Sequence, residues 1–345
     1  MSIHAIDPLN DSRWDDLIAS HRRSSVFHQK GWLKALAQTY GYRPLVLTTS
    51  GPGEKLNSGI PFCEVSSWLT GRRLVSLPFA DHAEPLVSSS DTSQEILEWT
   101  KAQSRTHGWK YIEFRPVHGD DFLIDALEPT QSFWLHTLDL TPPLDRLFHS
   151  LHKDCIQRRI RKAERSSLSY EKLASASALD DFYRLLTRTR RRHHVPPQPR
   201  QWFANLLACM GTDAAIRLAR YNGVAIAGIF SLVSKGTVVF KYACSDERFH
   251  SLGAAPLLIW KLIEESKMAG AECIDFGRTD LDNQGLVEFK DRLGAARSRL
   301  TYLRYNANGN KAAPRSYPSL LGRSFTILPD SALSLAGRLL YKHFG

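Results

Sequence analysis

Three short runs in the second half of the chain place apolar residues with the period of extended strands. Ile216 to Tyr221 (IRLARY) interleaves apolar and basic residues, as a strand with one buried face does. Asn222-Gly223 follows, and both central positions of a type I′ hairpin turn need a positive φ that Asn and Gly tolerate. Val224 to Val233 (VAIAGIFSLV) returns, Ser234-Lys235-Gly236 turns again, and Thr237 to Cys244 (TVVFKYAC) completes a meander. From Ala254 to Met268 apolar residues recur with helical spacing, and ECIDF at 272–276 reads as one more strand. The stretch Ile274 to Ala295, IDFGRTDLDNQGLVEFKDRLGA, predicts a buried strand, a polar loop and a short helix that stops at Gly294. Lys290 lies four residues after Leu286 and three before Leu293, so on that helix it shares or borders their apolar face.

The first half repeats this order. Leu45 to Thr49 reads as a strand, SGPGEK as a turn, and Gly59-Ile60-Pro61-Phe62 lies in a strand like that of Gly228-Ile229-Phe230-Ser231. A helical pattern at roughly 92–106 precedes GWKYIEF (108–114), which matches GAECIDF (270–276) in its Gly, Ile, acid and Phe. Gly59 and Gly228 are 169 residues apart and Gly108 and Gly270 are 162 apart, so both pairs point to one approximate internal repeat. The expected fold class is α/β (α+β), with two tandem domains, each a largely antiparallel mixed sheet flanked by helices. The boundary falls at Thr141-Pro142-Pro143, because paired prolines interrupt regular structure. The expected domains are 1–142 and 143–305, the second opening on a long helix at 144–166. A tail at 306–345 begins with a loop-like linker (306–318) and ends in an amphipathic helix with Leu335, Leu339 and Leu340 on one side.

Composition narrows the partners. The 345 residues are 43% hydrophobic and 23% charged, as in ordinary globular proteins. The formal net charge of +10 favours anionic partners such as nucleic acid, phosphates or an anionic membrane surface, although a basic surface that binds nothing would have the same charge. Five cysteines, no two closer than 29 residues, make no C-x-x-C pair; a zinc site or dense disulfide framework is not expected, and a reducing compartment is. The N-terminal MSIHAIDPLNDSRWDD has no apolar signal-peptide core, and no run of about 18 apolar residues is present. The expectation is a cytoplasmic protein, with the inner membrane surface as a place for peripheral contact.

Strand, strand, strand, helix, strand in each half resembles the GNAT acyltransferase fold. There the loop before the helix cradles the pyrophosphate of an acyl-coenzyme A with the pattern [R/Q]-x-x-G-x-[G/A]; backbone N–H groups at a helix N-terminus suit an anion. The corresponding loop here is His250-Ser251-Leu252-Gly253-Ala254-Ala255, which makes His250, Gly253 and Ala255 the expected cofactor contacts, with His250 in place of Arg or Gln. The same loop could equally be a tight turn that opens a helix. Over roughly 25–305 the chain resembles the Fem family of aminoacyl-tRNA-dependent peptidyltransferases, which have two GNAT-like halves. The likeness rests on VFHQKGWLKAL with Tyr40-Gly41, VSLPFAD, RRIRKAER, TRRRHHVPPQP, KYACSD and IDFGR…FK…GA. It is nearest to Fem-like proteins of envelope and exopolysaccharide systems.

That resemblance implies attack of an amine on an activated acyl carbon. The donor would be an aminoacyl-tRNA or an acyl-coenzyme A, and the acceptor an amine of a diphosphate-bearing envelope precursor. Such a site needs a route for the ammonium proton and a cation for the oxyanion or the phosphates. Lys290, in Phe289-Lys290, matches the family's catalytic Phe-Lys pair; a snorkelling lysine would leave the same trace. Arg278, in the matched IDFGR, is expected on the substrate. Arg192 stands at the family's T-x-x-R position after Thr189, where arginine binds acceptor phosphate, in a stretch (184–200) with six arginines, two histidines and no acid. Asp81 in LPFAD matches an aspartate near the acceptor and is the second catalytic candidate. Tyr242 alternates with Val238 and Phe240, which makes it a core position or a substrate-binding hydroxyl, and Trp32 and Lys34 complete the expected substrate contacts.

Lys153 to Arg165 predicts a helix with a narrow apolar strip and a broad cationic face, suited to tRNA phosphates or anionic lipid. The second domain leaves no room for the coiled-coil insertion found in some Fem enzymes. No metal set, nucleophile triad or phosphate-loop motif is present. Two further functions fit the same sequence: an acyl-coenzyme A dependent N-acyltransferase, and a non-catalytic basic module that binds nucleic acid or membrane.

Overall fold

A computed structural model describes residues 2–118, 121–309 and 329–344. In chain order the first elements are β1 (His4–Ile6), α1 (Arg13–Ser20), α2 (Lys30–Tyr40), β2 (Arg43–Thr48), β3 (Ile60–Ser67), β4 (Gly71–Val75), α3 (Ser90–Gln103), β5 (Trp109–Phe114), α4 (Asp121–Ala126) and β6 (Glu128–Asp139). Then come α5 (Leu144–Ser150), α6 (Arg158–Arg165), β7 (Leu168–Leu173), α7 (Ala176–Arg192), α8 (Arg200–Met210), β8 (Ala214–Tyr221), β9 (Val224–Ser234) and β10 (Thr237–Ser245). The last are α9 (Ala254–Met268), β11 (Cys273–Asp280), α10 (Gln284–Asp291), β12 (Ala296–Asn306) and α11 (Asp330–Phe344).

These elements form two compact units. Unit 1 draws on Met1–Phe133, Arg299–Ser316 and Leu339–Gly345, and unit 2 on Trp134–Ser298 and Tyr317–Arg338. In unit 1 the strand order is β1-β2-β3-β4-β5-β12, closed by the first half of β6. In unit 2 it is β7-β8-β9-β10-β11, closed by the second half of β6. Pairing is antiparallel from β1 to β4, between β5 and β12 and from β7 to β10, and each unit has one parallel pair, β4 with β5 and β10 with β11. The units therefore divide at 133/134 and 298/299 rather than at 142/143 and 305. The reason is that β6 and β12 run straight through both boundaries, and Pro142-Pro143 only ends the loop into α5.

The repeat has a packing cause. A Cβ on Gly59 would lie 2.8 Å from the Trp14 ring of α1 and 2.9 Å from Val46 of β2. A Cβ on Gly228 would lie 3.1 Å from the Phe182 ring of α7 and 3.2 Å from Leu218 of β8. In each unit an aromatic side chain from the helix before the meander lies on the bare glycine. The hairpin at Asn222-Gly223 has φ of 49° and 78°, as a type I′ turn requires, and Lys235-Gly236 repeats it at 45° and 71°.

One expectation needs correction. The helix expected over 144–166 is broken into α5 and α6 by a wide turn at Lys153–Gln157. The His152 side chain accepts the Cys155 N–H, and Gln157 donates to the Leu151 carbonyl, so side chains satisfy the groups freed by the break. In α11 the buried residues include Leu333 and Gly337, while Leu335 and Leu339 are 54% and 55% exposed. A Cβ at Gly337 would sit 1.9 Å from the Pro197 carbonyl oxygen, so the helix backbone approaches there as only glycine permits. Residues 310–318 of the expected linker lie outside the described residues. Among the described residues no helix is long and apolar enough to cross a membrane, and no cluster of potential metal ligands occurs.

Candidate functional site

Unit 2 carries most of the candidate residues. β10 and β11 are paired over Thr237–Val239 and Cys273–Asp275, but β10 continues to Ser245 and β11 to Asp280. The pairing of β10 with β9 shifts register between Phe240 and Tyr242, a β-bulge that adds one residue. Such a shift turns every later side chain to the other face. Phe240 packs on Phe276 in the cluster beneath α9, whereas Tyr242 packs on Phe203 and Phe230. Sequence alternation had placed Phe240 and Tyr242 on one face, and the bulge separates them. The Tyr242 hydroxyl accepts N–H bonds from Gln198 (3.1 Å) and Trp202 (2.9 Å), so it is held in the interior by two donors.

Lys290 lies on α10, and its side chain reaches β11 beyond the pairing of that strand with β10. Its ammonium donates to the carbonyls of Gly277 (2.9 Å) and Arg278 (3.3 Å), and the side chain is 5% exposed. The buried face of α10 runs through Val287, Lys290 and on to Leu293, while Leu286 is 38% exposed. Lys290 is thus at the centre of the buried face, not at the edge of a Leu286 face. Phe289, beside it, is half-buried against the core beneath α9. The carbonyls are aimed by a local turn: Asp275 accepts the Gly277 N–H at 2.7 Å, and Gly277 has φ of 70°. The Arg278 side chain is exposed, and its carbonyl is what meets Lys290. Gly277→Val is expected to cost about 1–2 kcal/mol through the left-handed backbone alone and to misplace both carbonyls; chemical denaturation measures the first effect.

Arg192 and His250 come together. The charge of Arg192, after burial itself, depresses the His250 pKa, and Arg159 adds to it. Arg192 also pairs with Glu247 at 3.1 Å, and Thr189 exchanges hydrogen bonds with Ser245 at the end of β10. Asp246 is fixed by Arg248 and Arg188, and the Arg248 bond brings its pKa down to about 2. Gly253 caps α9 with φ of 77°, and a Cβ there would lie 2.4 Å from the Arg159 carbonyl oxygen. That oxygen therefore stands against the loop expected to cradle a pyrophosphate. Ala255 is half-buried in the first turn of α9.

The face of α6 opposite its buried Ile160 and Ala163 is basic. Arg158, Arg161, Lys162 and Arg165 line a groove of about 410 Å³ with Ser166. Among the described residues none of these four has an ion-pair partner, and Arg161 stacks on Phe148 at 5.4 Å. Most other basic side chains of unit 2, such as Arg184, Arg188, Arg192, Arg217 and Arg220, have a carboxylate partner.

Unit 1 holds Asp81, Trp32 and Lys34. Asp81 lies on a loop in which Leu77 and Phe79 have φ of 41° and 62°, values that non-glycine residues rarely adopt and that concentrate at functional loops. Arg115 donates to the Leu77 and Ala80 carbonyls, and the Tyr302 hydroxyl donates to the Asp81 carbonyl at 2.6 Å. Trp32 is fully enclosed, edge-on to Phe27 at 4.9 Å, so it belongs to the core and offers no surface to a ligand; Lys34 is exposed on α2.

Sequence reading missed the bulge, the Gln198 and Trp202 donors, and His136 on β6. His136 is fully buried, 3.6 Å from Asp291, and its pKa is lowered by burial first and then by the charge of Lys290. The alternation of FWLHTLD (133–139) was the available signal, since it marks β6 and places His136 among apolar residues.

Residues 152–291 match the family described as Acetyltransferase (GNAT) domain. No curated protein matches the chain. Among solved structures, FemX is similar with a TM-score of 0.68 at 13% identity, over 87% of this chain and 97% of its own. L-PGS from Bacillus licheniformis is similar with a TM-score of 0.56 at 14% identity, over 92% and 96%. A tandem GNAT protein from the clavulanic acid biosynthesis pathway gives 0.52 at 12% identity, over 90% and 100%. The chain has a Fem-like fold made of tandem GNAT-type halves.

Proposed function

We propose that this protein is an acyltransferase that moves an aminoacyl or acyl group from an activated donor to an amine of a cell-envelope precursor. The observation that carries this reading is Lys290. Its ammonium is buried and seated on two backbone carbonyls, where β11 has left its pairing with β10. Burying an ammonium is costly unless its donors are used, so a lysine held this way has a task that a hydrophobic side chain could not perform. When an amine adds to the acyl carbon, the carbonyl oxygen becomes an oxyanion. Lys290 is assigned the stabilisation of that charge, and no enzyme nucleophile is needed. Arg192, beside His250, is assigned to acceptor phosphate, and the exposed Arg278 side chain to the same substrate. On unit 1, Asp81 is assigned to pairing with the ammonium of the acceptor.

The α6 groove supports a donor carried on a polyanion. Its cations recur at Arg158, Arg161, Lys162 and Arg165, one face over two helical turns, and its apolar side chains point inward and cannot enter a bilayer. RNA is therefore favoured over lipid at this surface. Changing Arg158, Arg161 and Arg165 together to Gln should flatten the slope of log Kobs against log[salt] for a transfer RNA by about 2–3, at roughly 0.7–0.9 per phosphate contact. An unchanged slope would make α6 a solvated face only.

Acyl-coenzyme A remains the second donor, because Arg159 and Arg192 bring positive charge to His250 at the loop before α9. A thermal-shift panel separates the readings. It contains acetyl-coenzyme A, a UDP-linked muropeptide and aminoacylated tRNA, and a ligand at 100 times its Kd adds about 2.7 kcal/mol to stability. The expected result is stabilisation by the muropeptide and by one donor. Stabilisation by none of them would remove the proposal.

A further inference from the structure

His136 contrasts with the other fully buried histidine. In His28 one ring nitrogen meets the Ser25 amide and the other the Glu84 carbonyl, so both are satisfied. In His136 both nitrogens are buried and neither is hydrogen-bonded; among the described residues no other side chain has two such atoms. Buried polar groups without partners are rare and costly, and each calls for a physical reason. Asp291 Oδ1 stands 3.6 Å from Nε2, just beyond a hydrogen bond, and Asp291 follows Lys290 on α10. Arg297, at the start of β12, lies 3.8 Å from the other oxygen of Asp291.

We propose that His136 is a positioning residue for Lys290: uncharged, it leaves the ammonium seated on the Gly277 and Arg278 carbonyls, and protonated, it unseats that ammonium and closes the site. The inference rests on Lys290 as the cation of the site. The charged groups that face the imidazole are Lys290 and Asp291 from α10 and Arg297 from β12. Burial is the largest cause, Lys290 and Arg297 add to it and Asp291 opposes them, so the ring gains its proton only below its ordinary value of 6.5. The added proton places a second cation beside the ammonium in an enclosed space. It also brings Asp291 within reach as an ion-pair partner, which draws on the end of α10 that carries Lys290. Coupling of this kind is reciprocal: whatever Lys290 does to the proton affinity of His136, the proton does to the seating of Lys290.

Nuclear magnetic resonance of the full chain tests this without a substrate, so its outcome is separate from whether acyl transfer is the activity. With ¹⁵N-lysine labelling, the hydrogen-bonded Lys290 ammonium signal, assigned by its loss in Lys290→Met, is followed from pH 8 to pH 4.5. In the native protein it should disappear as His136 titrates, below pH 6.5, and in His136→Gln it should persist through the same range. An identical loss in both proteins, or no loss in either, overturns the proposal. Should His136→Gln fail to fold, ¹³C-histidine titration of native protein and Lys290→Met decides instead. The His136 midpoint must rise when the lysine charge is removed, and an unmoved midpoint is the contrary result.

Discussion

Lys290→Met is expected to lower kcat/KM for acyl transfer by about 10²–10³, the loss that follows removal of one oxyanion donor. Methionine keeps the length of the side chain and removes only the donors. The Gly277 and Arg278 carbonyls then lose their partner in the interior, which costs about 1–3 kcal/mol of stability. Circular dichroism should therefore show an intact but less stable fold, while kinetics show the larger loss. Arginine is a poor substitute, because its planar fork does not fit a seat shaped for a compact ammonium. If kcat/KM changes no more than stability explains, Lys290 is a structural lysine.

Glu113→Gln should be the most destabilising single change in unit 1. Glu113 is 3% exposed; it accepts two bonds from Arg115, at 3.0 and 2.8 Å, and one from Arg304 of β12, at 2.6 Å. Both arginines are buried, and breaking a buried ion pair by removing one partner costs about 3–5 kcal/mol. Arg304 holds β12 in register beside β5, and Arg115 also holds the loop that carries Asp81. Urea denaturation read by a probe in unit 1 should move by that amount. A change under 1 kcal/mol would mean that the two arginines find other partners.

The comparison of Glu113 with Asp275 shows how far the sequence could be read. The two acids fall at the same place in the repeated Gly, Ile, acid, Phe motif, and the repeat is real in the fold: β5 and β11 are corresponding strands, each parallel to its neighbour. Yet the shorter Asp275 bonds the Gly277 amide and shapes the Lys290 seat, whereas the longer Glu113 reaches two arginines. The meander, its turns and α9 were legible because strand alternation, Asn-Gly and helical spacing are local signals. β6 and β12 were not, since each completes a sheet built from residues distant in the chain. Pro142-Pro143 was a sound local signal for a break and a poor one for a domain boundary. The Phe-Lys pair was legible through family resemblance, and its placement in the middle of a buried face was not, because the register of α10 depends on Val287 and Leu293 rather than on Leu286. The bulge beyond Phe240 left no mark in the apolar pattern, so Tyr242 could be placed on a face only once the pairing with β9 was known.

The most direct test of the account is a transfer assay with native protein and Lys290→Met side by side. A UDP-linked muropeptide is incubated with radiolabelled aminoacyl-tRNA or, separately, with radiolabelled acetyl-coenzyme A, and the acceptor is recovered and weighed by mass spectrometry. The account predicts an acceptor heavier by one acyl group, joined as an amide, formed by native protein with one of the two donors and reduced at least tenfold by Lys290→Met. Equal product from both proteins, or none from native protein with either donor, would contradict it.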